Sequence, residues 1–235
     1  DECERQREKL ALDWFGKKFP DRPKSVTLKV VPQRTGDTGG AAINLAYFEP
    51  YPMKNGPDAE GTLYGDWEQL RDGVIPHEVM HVLISEHLKL PCARWLDEGL
   101  AVCAEGSKTA EQFRQAAYQL ASRSADQPFK TLCLVREYPQ DSASIDAFYS
   151  KSASLVSFMA MMGGKRSVVD FLDESYRTMS YGMGLDKAYA LQRVEDFDAR
   201  WRDWAAKGSP LPETSGGPGT VLVWTVNAWQ IGGRL

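Results

Sequence analysis

The sequence predicts an α+β fold, with a small β-rich N-terminal part (residues 1–70) followed by a mainly helical part (71–207). Three observations carry this. Residues 25–31 alternate apolar and polar side chains, as a half-buried strand does, and 41–48 read as a second strand after a Gly-rich turn. From residue 72 to about 207, apolar positions recur with helical spacing. Residues 208–220 hold three prolines and four glycines, which marks a linker and sets off a strand-like tail at 221–231.

The elements follow in order. Residues 3–19 are charged but place Leu10, Trp14 and Phe15 on one side, an amphipathic helix closed by Pro20. In residues 25–31, Val26, Leu28 and Val30 alternate with Thr27 and Lys29. A Gly-rich turn (35–40) leads to the second strand, where Gly39 and Gly40 suit either a hairpin or a close backbone approach. Residues 50–61 read as a Pro/Gly-rich loop and 62–67 as a short third strand. The helical part is cut at Pro91, Pro128, Pro139, Gly163-Gly164 and Gly182–Gly184. No internal repeat is visible.

Composition excludes several classes. Lys+Arg 28 against Asp+Glu 32 leaves a net charge of −4, with no cationic surplus for a phosphate backbone, so no nucleic-acid partner is expected. No apolar run approaches the ~20 residues of a membrane span. The four cysteines, Cys3, Cys92, Cys103 and Cys133, include no C-x-x-C pair. They read either as buried thiols or as one or two disulfides of an exported protein. The even count, with a chain starting at Asp1, points to a secreted or periplasmic location, and a cytoplasmic one stays open.

The chemistry lies in His77-Glu78-Val79-Met80-His81, an H-E-x-x-H sequence within a helical stretch. Four residues of helix separate the two imidazoles by ~40° and one turn, so both reach one metal ion. Glu78 sits too far around the helix to bind that ion and is placed to take a proton from its water. With three histidines and fifteen glutamates, a shuffled chain would hold this pattern with a probability of roughly 0.002. Two imidazoles and an open position suit catalytic Zn²⁺, one ion per chain.

Two residues compete as third ligand. His87 completes the H-E-x-x-H-x-x-G-x-x-H spacing of the metzincins, except that Ile84 stands where that pattern has glycine. A β-branched residue resists φ > 0, so the helix runs on and carries His87 ~15 Å along the axis from His77. The other candidate is Glu98, in Trp95-Leu96-Asp97-Glu98-Gly99-Leu100-Ala101. H-E-x-x-H followed by W-L-x-E-G-L-A resembles the gluzincins, in particular the thermolysin-like peptidase MA family. Residues 148–156, 168–172 and 195–204 are more loosely similar to later helices of that family.

The resemblance implies a single gluzincin-type metallopeptidase domain over residues 1–207. His77, His81 and Glu98 hold Zn²⁺, and Glu78 is the general base that activates the metal-bound water. The substrate is a peptide or protein. Gluzincins commonly set an oxyanion-stabilising tyrosine on a helix after the glutamate ligand, which here selects Tyr149, with Tyr64, Tyr138 and Tyr176 as other candidates. The family often has aspartate four residues after the glutamate ligand, where this chain has Val102; Asp97 or Glu105 is the expected substitute for orienting an imidazole. Residues 41–48 offer an edge strand for pairing with an extended peptide. Peptide deformylases fail as a rival, since no cysteine lies between Cys3 and Cys92 to act as their upstream ligand. A peptidase-fold module used only for binding is the non-enzymatic rival, and the intact base Glu78 argues against it.

Overall fold

A computed structural model describes residues 2–21, 26–31, 40–46, 52–54, 57–105, 111–113, 115, 116, 118, 119 and 127–210. Helix α1 (Glu2–Leu10) continues into a π-helical turn (Ala11–Phe15) and is followed by strands β1 (Thr27–Val31), β2 (Gly40–Ala46) and β3 (Asp58–Tyr64). A short α2 (Trp67–Gln69) runs through a second π-helical turn (Leu70–Val74) into α3 (Ile75–Leu88). Then come α4 (Arg94–Ala104), α5 (Phe129–Leu132), α6 (Ser142–Thr178), α7 (Tyr181–Tyr189) and α8 (Val194–Ala206).

The molecule is mainly helical, which corrects the α+β expectation. The alternating stretches were too short to build a layer: the strands have five, seven and seven residues, and β3 lies between β1 (parallel) and β2 (antiparallel). Among the strand residues whose side chains are described, Leu63 belongs to the apolar core. Most of the other buried apolar side chains come from helices, including Leu10, Trp14 and Phe15 of the first helix and its π-helical turn, so the N-terminal part joins a helical core.

Local boundaries also shift. The first helix stops at Gly16 (φ +66), before Pro20, because that left-handed residue turns its N–H back to the Leu12 carbonyl. Its apolar side behaves as the spacing predicts: Leu10, Trp14 and Phe15 are buried. β3 starts at Asp58, within the expected loop, because Ala59 and Gly61 pair with Leu45 and Ile43 of β2. The expected break at Gly182–Gly184 falls earlier. Met179 (φ +54) ends α6, and the Ser180 hydroxyl accepts from the Met183 N–H, leaving those glycines inside α7. The Gly163-Gly164 break is real, with Gly164 at φ +83 kinking α6. Residues 35–39, 47–51 and 211–235, including the turn and the strand-like tail, lie outside the described residues.

Two packing contacts position the site. α1 lies against α3, with Arg7 3.4 Å from Glu86. α4 lies against α6 through Gly99, where a Cβ would meet the Ser152 carbonyl oxygen and Val156 Cγ2, each at 2.6 Å. The close approach that this glycine permits is therefore to the long helix, not to α3.

Candidate metal centre

α3 accepts Pro76 in its first turn, where the missing N–H has no partner to lose. It ends at Lys89 (φ +58), so Ile84 is helical and the helix does run on to His87. The His77 and His81 rings lie one turn apart, with centroids separated by 4.9 Å. α4 begins after the extended Ala93, whose N–H donates to the Tyr176 hydroxyl at 2.6 Å. That anchor and the buried Trp95 set the rotation that turns Glu98 toward α3.

Glu98 Oε2 stands 3.5 Å from His77 Nε2 and 3.8 Å from His81 Nε2. The three ligand atoms lie within 4.8 Å of one another, and the group could hold a metal ion. Zinc bonds of ~2.0–2.1 Å in a tetrahedron separate ligand atoms by about 3.4 Å, so the two Glu98–imidazole spacings are within tenths of an ångström of that need. Glu98 Oε2 is buried and has no hydrogen-bond partner, an expensive condition for a carboxylate oxygen unless a cation sits there. The other carboxylate oxygen, Oε1, accepts a very short hydrogen bond from Tyr138.

Each imidazole is held from behind by its own carboxylate. His77 Nδ1 lies 2.7 Å from Glu105 Oε1 in a hydrogen bond. His81 Nδ1 lies 3.0 Å from Asp97 Oδ1, a charge contact whose angle falls short of a hydrogen bond. Both expected substitutes are thus in use, one per ring, with Nε2 of each ring left for the metal. Val102, at the position where the family often has aspartate, is buried in the core.

The electrostatics follow from this crowding. Burial disfavours a charged His77, but Glu105 and then Glu98 outweigh it and raise its pKa to about 10. Burial likewise opposes a charged His81, yet Asp97 and Glu98 raise its pKa. Burial would raise Glu98, but the His77 contact, His81 and Tyr138 lower it to about 2. Glu78 is raised, chiefly by burial. Four carboxylates around two imidazoles form a cluster that favours positive charge, and a divalent cation would provide it.

A cavity of about 910 Å³ opens on the group, lined by His77, Glu78, His81, Glu98, Tyr138 and Tyr149 among others. Tyr149 stacks on Tyr138 (centroids 6.4 Å apart), and burial, then Glu98, push its phenol upward. Of the other candidate tyrosines, Tyr138 is taken up by Glu98, Tyr176 by Ala93, and Tyr64 is exposed on β3. His87 lies away from the group, packed on Phe15 and in a short contact with Asp173. None of the four cysteines forms a disulfide; Cys103 Sγ lies 3.4 Å from Ser157 Oγ.

Comparison with protein-family models, curated proteins and solved structures finds no match to this chain. Sequence spacing did not single out Tyr138 as the partner of Glu98. It lies forty residues away, in a stretch without regular structure, so no local period connects the two.

Proposed function

We propose that the protein is a zinc-dependent peptidase of gluzincin type. The observation that carries this reading is the buried, unpartnered Glu98 Oε2 facing Nε2 of both histidines of the H-E-x-x-H helix, with Glu78 in the same cavity. His77, His81 and Glu98 would hold the ion, and bound zinc supplies Lewis acidity and a water of lowered pKa. Glu78 is the general base: burial makes its carboxylate a better proton acceptor than an ordinary one, and it hands that proton to the leaving amine. Tyr149, which lines the same cavity, donates its hydroxyl toward the developing oxyanion, a role that Tyr138 gives up by binding Glu98. β2 pairs with β3 along one edge and brings Leu45 to the cavity, so its outer edge suits an extended peptide. The sequence resemblance supports the same reading. The metzincin alternative loses its support, because His87 is engaged by Asp173.

The test is metal analysis followed by cleavage of an unbiased peptide library. The protein is expected to bind one zinc and cleave. Glu78→Gln is expected to keep zinc and lose at least ~100-fold in rate, the usual scale of general-base catalysis. Undiminished cleavage by Glu78→Gln overturns the assignment.

A further inference from the structure

The geometry points to a carboxylate-binding subsite formed by Arg94 and Arg136 on the wall of the metal cavity, so that the preferred substrate carries a carboxylate close to the scissile bond. This inference rests on the peptidase reading above. Arg94 opens α4 one turn before Glu98. Its guanidinium carbon lies 4.8 Å from the Tyr138 ring centroid, and Nη1 donates to the Tyr138 hydroxyl at 3.4 Å. Since Tyr138 also donates to Glu98, this cation stands one ring away from a metal-ligand carboxylate. Arg136, two residues before Tyr138, is exposed and lines the same cavity.

Among the described residues, neither guanidinium forms an ion pair with a carboxylate. The acidic groups of the centre are otherwise engaged: Glu98 faces both imidazoles, Asp97 backs His81 and Glu105 backs His77. Glu78 is kept for proton transfer. Two permanently charged planar forks without an internal counter-ion are suited to a carboxylate, which they bind through paired charge-assisted hydrogen bonds. In a peptide that group is either the free C-terminus or the side chain of Asp or Glu. The first source makes the protein trim chain ends; the second makes it cut within chains beside acidic residues.

The test is calorimetric binding to the zinc-loaded Glu78→Gln protein, using two peptide pairs. One pair is an acetylated tetra-alanine with a free C-terminal carboxylate and its C-terminal amide. The other is a C-terminally amidated peptide with Glu or Gln at its centre. The carboxylate member of at least one pair is expected to bind about tenfold tighter, 1.4 kcal/mol, and the responding pair identifies the source. Adding Arg136→Gln, an exposed change that leaves the core intact, is expected to reduce the preference at least ~3-fold. Adding Arg94→Gln as well is expected to bring the two members level. Equal binding of both members in both pairs overturns the subsite. So does a preference that survives in the double-arginine variant, since the carboxylate would then sit on the metal. If the protein with Glu78 intact cleaves nothing while the arginine-dependent preference holds, the peptidase reading falls and the subsite stands; cleavage without preference gives the reverse.

Discussion

His77 and His81 differ from His87 in what stands behind them, and that difference gives the first prediction. Glu98→Ala removes the oxygen that faces both Nε2 atoms and is expected to abolish zinc binding, read by metal analysis after dialysis. His87→Ala is expected to retain zinc while lowering the melting temperature, because His87 packs on Phe15 and contacts Asp173. Zinc lost from His87→Ala and kept by Glu98→Ala would move the third ligand to His87. The two stacked tyrosines separate in the same way. Tyr149→Phe is expected to lower kcat by roughly 100-fold with little change in zinc affinity, the scale of one oxyanion donor. Tyr138→Phe frees Glu98 Oε1 and is expected to weaken zinc by about tenfold, the lower end for an outer-shell partner. Competition with a chromogenic chelator measures the affinities, and the opposite pattern exchanges the two roles.

At the scale of the element, α4 carries the site because it can approach α6. On an exposed helix, Gly→Ala gains up to ~1 kcal/mol of helix propensity. At Gly99 the added methyl would sit 2.6 Å from the Ser152 carbonyl oxygen, and overpacking of about 1–3 kcal/mol should win. Gly99→Ala is therefore expected to lower the denaturant midpoint and, by shifting Glu98 next door, to weaken zinc. A stabilised variant would refute that packing role. At this scale the sequence was unevenly legible. The H-E-x-x-H helix was readable because its period is local, and Ile84 showed that it would continue past the metzincin glycine position. The strands misled, because a strand pattern shows that a segment can pair without showing how small a share of the molecule the sheet will form. Met179 could not be foreseen as the end of α6, since a non-glycine residue enters φ > 0 only under tertiary constraint.

For the whole molecule, metal and protons compete for one cluster. His77 has a folded pKa of about 10, above its ordinary 6.5, so its pairing stabilises the metal-free protein fully below pH 6.5 and is lost as pH rises through 10. Glu98 has a folded pKa of about 2, below its ordinary 4.5, so its contribution is present above pH 4.5 and is lost as pH falls through 2. The metal-free protein should therefore draw most from this pair between pH 4.5 and 6.5. Its melting temperature is expected to fall from there toward pH 10, while the increment given by zinc grows over the same range as the imidazole proton ceases to compete. Thermal melts with zinc and with chelator across that range check both trends. A zinc increment that shrinks with rising pH would contradict the cluster. No helix among the described residues is long and apolar enough to cross a membrane.

The sequence by itself determined that two imidazoles lie along a single helix at metal-binding spacing, with Glu78 beside them, since one turn of α-helix dictates that whatever surrounds it. Through Trp95–Ala101 it also nominated Glu98. Tertiary structure alone decided that Glu98 Oε2 is buried and unpartnered between the rings, that Asp97 and Glu105 take one imidazole each, and that Tyr138 holds Glu98 while Tyr149 lines the same cavity. It also brought Arg94 and Arg136 to the lining of one cavity. Those relations join residues 16 to 42 positions apart in different parts of the fold. They depend on how closely α4 settles on α6, a distance set at Gly99 by contact with a backbone more than fifty residues away.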